Sequence, residues 1–64
     1  MSKSALTAEI LGLWNLYAPE ASFMDFILNF SDWSAINWGI DTRTLNNEQL
    51  FTLIGEYSRT LKKY

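Results

Sequence analysis

Three segments of this 64-residue chain begin with a residue suited to cap a helix. Thr7, Ser22 and Asn46 have short polar side chains, which accept hydrogen bonds from the free backbone N–H groups at a helix start. Each is followed by apolar residues at helical spacing, so we expect an all-α fold. The prediction is one domain over residues 1–64, a small bundle-like domain of three helices, or four, around an aromatic core. The predicted helices span residues 8–17, 23–30 and 47–62.

The first predicted helix starts after Thr7 and ends before Pro19. It ends there because a residue that precedes Pro is disfavoured in the α conformation. Leu6, just before the cap, is placed to pack against Leu11 as a hydrophobic staple. We expect an apolar stripe to face the core, consisting of Leu6, Ile10, Leu13, Trp14 and Tyr17.

The second predicted helix opens at Ser22 in a capping-box pattern. Residues 23–30 are apolar nearly all round, which is typical of the central element of a small helical domain. Two interpretations of the next segment stay open: the helix continues to Gly39, or a short extra helix covers 32–38. We favour a break near Ser31 and the Asp that follows, because both residue types compete for backbone hydrogen bonds.

The third predicted helix has the clearest signals. Asn46 caps it, and Gln49 completes a capping box. Gly55 predicts a close approach by another part of the chain, since Gly otherwise lowers helix stability. The helix carries a regular apolar seam, made of Leu50, Ile54, Tyr57, Leu61 and Tyr64.

This seam has two interpretations. It packs as core against the other helices, or part of it joins copies of the chain in a structural homo-oligomer. The candidate self-association residues are Tyr57, Leu61 and Tyr64.

The residue types that are absent exclude several functions. The chain has no Cys and no His, which excludes disulfides and Cys/His metal sites. It also removes the usual base of a nucleophilic enzyme. Asp25, Asp32 and Asp41 fall on different predicted elements, which argues against an acid–base pair. We therefore predict no enzyme activity and no catalytic, cofactor-binding or metal site.

Aromatic residues point to a binding surface. The chain contains three Trp, three Tyr and four Phe, which is a high aromatic content for its length. Any one of them has core packing as its simplest explanation, but Trp is rarely fully buried and is enriched in binding hot spots. The segment 31–39 is the one least needed for a three-helix core. The candidate partner interface is therefore Trp33, Ile36 and Trp38.

We accordingly expect a small non-catalytic adaptor, inhibitor or regulator that docks onto another protein through these aromatic and apolar side chains. The homo-oligomer is the alternative. Accessory proteins of phages and other mobile elements are often this short, which makes such an origin a further hypothesis.

Nucleic acid and membrane partners are disfavoured. A helix-turn-helix DNA binder would rely on Arg59, Lys62 and Lys63, but the net charge is −2 and no basic face forms. No apolar run approaches the ~20 residues of a membrane span, and no secretory signal is visible. The expected location is the cytoplasm.

Overall fold

The structure, a computed structural model, describes residues 2–61 and contains three α-helices, one 3₁₀ turn and no strand within that range. This confirms the all-α fold. The elements in chain order are α1 (Lys3–Tyr17), α2 (Phe23–Trp38), the 3₁₀ turn (Thr42–Thr44) and α3 (Asn47–Ser58).

Helix α1 begins earlier than the sequence predicts. The hydroxyl of Ser2 accepts a hydrogen bond from the Ala5 N–H at 3.1 Å and caps the helix. Thr7 lies inside α1, so its assignment as the N-cap was wrong, and Leu6 is a buried helical residue rather than a staple before the cap. No Gly or Pro separates the two hydroxyl residues, so the helix extends back to the first of them.

Helix α2 is continuous from Phe23 to Trp38. This confirms the alternative in which the helix continues to Gly39, while the favoured break near Ser31 and the separate helix over 32–38 were wrong. The reason lies in side-chain partners outside the helix: the Ser31 hydroxyl is hydrogen-bonded to the Thr42 hydroxyl at 2.9 Å. A hydroxyl with such a partner does not compete with the backbone bonds of its own helix.

Both ends of α2 follow the capping rules. The Ser22 hydroxyl accepts from the Asp25 N–H at 3.1 Å, which confirms Ser22 as the N-cap. Gly39 ends the helix in the left-handed conformation, with a φ of 64°, and its N–H donates to the Ala35 carbonyl at 3.0 Å. A residue with a Cβ is strained in this conformation, so Gly marks the stop.

Helix α3 has the predicted start but a shorter end. Asn46 and Gln49 exchange two side-chain to backbone hydrogen bonds of 2.9 Å, which confirms the capping box. The helix ends at Ser58 and does not continue to residue 62. The Ser58 and Thr60 hydroxyls donate to the carbonyls of Gly55 and Tyr57 at 2.7 Å. These bonds occupy carbonyls that another helical turn would use.

The core lies around α3, which packs against both α1 and α2. The expectation that the second helix is central was wrong, because α2 leaves Met24 and Leu28 exposed to solvent. The α1–α2 turn is held by Trp14, whose indole N–H donates to the Ala21 carbonyl at 2.8 Å. The buried cluster consists of Leu13, Phe26, Phe30, Leu53, Ile54 and Tyr57.

Gly55 does not mark a close approach. A Cβ placed on it would meet no atom within 4 Å outside its own helix and neighbours. The sequence interpretation of this residue was therefore wrong, and no packing requirement explains the Gly.

Candidate docking groove

The structure divides the predicted interface residues between core and surface. Trp33 is half-buried, and its ring lies 5.2 Å from that of Tyr57, measured between centroids. Ile36 and Trp38 are 82% and 57% exposed. Because these two are only two residues apart on a helix, they project about 200° from each other. Ile36 and Trp38 thus lie on different sides of α2, and a partner interface that includes all three residues stays a prediction.

Trp38 instead borders a groove. The groove has a volume of about 520 Å³ and lies between the end of α2 and the outward side of α3. Its apolar part includes Ile40 and Leu45 from the connection, both of which also pack against the core. The lining residues are Trp38, Ile40, Leu45, Glu48, Gln49, Thr52, Leu53 and Glu56.

A buried serine fixes the connection beside α2. Ser34 is fully buried, and its hydroxyl donates to the Ile40 carbonyl at 2.9 Å. In return, the Ile40 N–H donates to the Ser34 carbonyl at 3.3 Å. These two bonds hold Ile40 at the groove with both of its backbone polar groups satisfied.

An ion pair shapes the 3₁₀ turn that follows. The Asp41 carboxylate accepts from the backbone N–H of Arg43 at 3.0 Å and from its guanidinium at 2.8 Å. The guanidinium bond is the main reason why the pKa of Asp41 falls from its ordinary 3.8 to about 2. The turn leads directly to Leu45 in the groove, so the ion pair helps to set the path of the lining segment.

Two acidic residues of α3 line the groove. Glu48 and Glu56 both line it, eight positions apart in α3, which corresponds to about 12 Å along the axis. The described residues that line the groove include no Lys or Arg. Glu56 forms an ion pair with Arg59 at 3.6 Å, in which both side chains remain largely exposed.

The predicted self-association seam lies largely inside the domain. Tyr57 is only 7% exposed, and burial raises the pKa of its hydroxyl. Leu61 is partly buried against the same core. Tyr64 lies outside the described residues. Self-association through these residues stays a prediction, with Tyr57 offering little surface to it.

The predicted basic end is only partly described. Arg59 is paired with Glu56, while Lys62 and Lys63 lie outside the described residues. DNA binding through this end stays a prediction.

Other site types find no support within residues 2–61. No group of three or more acidic side chains there is arranged to hold a metal ion. None of the helices in this range has the length and apolar character needed to cross a membrane. Comparison with protein-family models, with curated proteins and with solved structures finds no match.

Most of the groove was not predicted from the sequence. Leu45 and the acids of α3 were not assigned to a site. A signal was present, because Ile40 and Leu45 are apolar residues at both ends of the connection that follows Gly39. Which side of α3 they would face depends on tertiary packing, which local patterns do not specify.

Proposed function

We propose that the chain is a small non-catalytic protein-interaction module that docks an apolar segment of another protein in the groove beside Trp38. The observation that carries the proposal is the position of this residue: more than half of a large indole is exposed at the edge of an apolar groove. Trp side chains next to pockets dominate the energy of many protein interfaces.

The indole of Trp38 also packs against another aromatic side chain of the domain. Its ring packs edge-on against Trp33, with 6.5 Å between ring centroids, and Trp33 in turn packs on Tyr57. A surface residue held in place before binding loses less conformational entropy when the partner arrives. This arrangement therefore favours a docking role for Trp38.

The polar groups of the groove support a non-catalytic role. The Gln49 side chain accepts from the Asn46 N–H, and the Thr52 hydroxyl donates to the Glu48 carbonyl at 3.1 Å. Both groups are therefore already hydrogen-bonded to backbone groups at the N-terminal part of α3.

The test compares two exposed residues of the same helix. A random peptide library is selected on the immobilised chain, and the enriched peptides are measured against Trp38→Ala and Ile36→Ala. We expect peptides that lose at least about tenfold in affinity with Trp38→Ala and keep it with Ile36→Ala, as for a hot-spot residue. Circular dichroism checks that both variants stay helical.

Trp38→Ala alone is used because Trp33 belongs to the core, where its replacement would disturb the fold. If no peptide is enriched, or if every enriched peptide binds Trp38→Ala as tightly as the unchanged chain, the proposal is wrong.

A further inference from the structure

We infer that the outward face of α2 binds an amphipathic helix of another protein, with the apolar side of that helix on Met24, Leu28 and Ala35 and its basic residues beside Asp25 and Asp32. We call the three apolar residues the α2 stripe. This second surface goes beyond the docking groove and does not depend on it.

The stripe has the spacing of one helix face. Leu28 comes four residues after Met24, and Ala35 comes seven residues after Leu28. With 3.6 residues per turn, the three side chains point within about 40° of one another. Phe26 and Phe30, which are buried in the core, lie on the other side of the helix. A row of this kind is the seam along which a second helix packs lengthwise.

The side chains of the stripe are open to solvent. Met24 is 58% exposed and Leu28 is 53% exposed, and Ala35 is exposed as well. Single exposed apolar residues are ordinary, but several in a row mark a surface that binds something. Met adapts its shape to a partner, and the small side chain of Ala lets a second helix come close.

The polar residue within this face does not oppose binding. Ser31 lies between Leu28 and Ala35 along the stripe, and its hydroxyl is hydrogen-bonded to that of Thr42 at 2.9 Å. A polar group costs free energy on burial mainly when it is left without a partner. A helix that covers Ser31 therefore leaves this bond in place.

The charges beside the stripe define the partner. Asp25 and Asp32 are the charged residues of α2, and both are exposed on the same side of the stripe, about 70° round the helix from its centre. Neither carboxylate takes part in an ion pair within residues 2–61, where Arg43 and Arg59 pair with other acids. This uncompensated flank attracts Lys or Arg side chains at the edge of an interface.

The same charges disfavour a second copy of the chain. Its α2 would bring two more Asp and no Lys or Arg. In an antiparallel pair the two acidic flanks would face each other and repel, and in a parallel pair neither Asp would gain an opposite charge. The flank thus selects a different helix with basic residues on the matching side.

The experiment selects helical peptides on the immobilised full chain. Each library member has about three heptads, with varied apolar residues along its seam and Lys, Glu or Gln on its flanks. Affinities of the enriched peptides are measured by fluorescence anisotropy. Met24→Ala with Leu28→Ala removes the stripe, and Leu11→Ala with Leu16→Ala is the matched control, because these two Leu are exposed on α1.

A second pair of variants tests the charges. Asp25→Asn with Asp32→Asn neutralises the flank, and Glu9→Gln with Glu20→Gln removes the same charge outside α2. Measurements at low and high salt report how much of the affinity is electrostatic.

We expect enriched peptides with Lys on one flank. They should lose about tenfold or more in affinity when the stripe is removed, as for hot-spot residues, and at least about threefold when the flank is neutralised. Both controls should change affinity less than about twofold. Added salt should weaken binding to the unchanged chain more than to the neutralised one.

NMR of the unchanged chain keeps the test decisive if circular dichroism shows that a variant does not fold. A bound peptide should shift the backbone amide signals of Met24, Leu28 and Ala35 more than those of Leu45 and Thr52 in the groove. Larger shifts in the groove would overturn the inference.

The remaining outcomes also contradict it. The α2 surface is wrong if no helical peptide is enriched, or if every enriched peptide binds the stripe variant as tightly as the unchanged chain. Peptides that need Met24 and Leu28 but show no preference for Lys would overturn the basic partner. Sedimentation equilibrium covers self-association: a dimer that disappears with Met24→Ala and Leu28→Ala would show that a second copy occupies the face. The groove proposal is judged separately, by the response to Trp38→Ala.

Discussion

The ring of Trp33 lies 5.2 Å from that of Tyr57, between centroids, with the two planes inclined by 50°. This contact joins α2 to α3 inside the core. The Trp33 ring also packs against the ring of Trp38, with 6.5 Å between the ring centroids. The residue that we assign to docking therefore rests on the residue that holds the two helices together.

Replacing Trp33 should destabilise the domain much more than replacing Ile36. Trp33→Ala removes a large ring packed on Phe30 and Tyr57, so we expect a loss of about 2 kcal/mol or more. Ile36→Ala removes a side chain that is mostly in water, so we expect a change within about 0.5 kcal/mol. Urea denaturation followed by circular dichroism measures both. Equal free energies of unfolding would contradict the core position of Trp33.

Ser34 should matter for both stability and docking. Ser34→Ala removes the donor to the Ile40 carbonyl in a buried setting, and we expect a loss of about 1–2 kcal/mol. Because Ile40 lines the groove, Trp38-dependent peptides should also bind more weakly. Asn37→Ala is the control, since its side-chain bond to the Trp33 carbonyl is exposed. The interpretation fails if the two variants unfold at the same urea concentration.

Replacing Gly39 or Gly55 with Ala should change the free energy of unfolding in opposite directions. Gly39→Ala places a Cβ at a φ of 64°, where L-residues are strained, so the free energy of unfolding should fall by about 1 kcal/mol. In Gly55→Ala the new Cβ meets no atom outside its own helix and neighbours, and Ala has the higher helix propensity. The free energy of unfolding should therefore rise by up to about 1 kcal/mol. Thermal unfolding of the two variants gives the signs directly. A lower melting temperature for Gly55→Ala would indicate a close contact after all.

The sequence could predict those features that depend on near neighbours. The capping box of Asn46 and Gln49 spans four residues, and its chemistry is complete within them. Thr7 was misassigned because Ser2 offers the same local chemistry earlier in the chain. Local patterns thus identify cap-type residues but do not choose between two candidates on one helix.

Features that depend on distant partners were missed or misread. The continuity of α2 depends on the bond between Ser31 and Thr42, which are 11 residues apart. The groove likewise forms only when tertiary packing brings together the end of α2, the connection and α3, which contribute Trp38, Leu45 and Leu53 to its lining. No spacing rule within one helix contains that information, so the sequence predicts the aromatic segment but not the groove.

The ion pair at the 3₁₀ turn predicts a dependence of stability on pH. The pKa of Asp41 in the folded chain is about 2, below its ordinary 3.8, mainly because the Arg43 side chain donates to its carboxylate. The folded state therefore binds this proton more weakly than the unfolded state does. The stabilisation is fully present above about pH 4 and is lost as the pH falls toward 2.

The pKa of Asp41 can be measured directly by NMR, from the chemical shift of its carboxyl carbon as a function of pH. We expect a midpoint near 2 in the unchanged chain and a return toward 3.8 in Arg43→Gln, because the main hydrogen bond that holds the carboxylate charged is then absent. Asp41→Asn should remove this part of the acid sensitivity from the unfolding curves between pH 4 and 2. A midpoint near 3.8 in the unchanged chain would mean that the ion pair is not maintained in solution, and the 3₁₀ turn would then lack its side-chain cap.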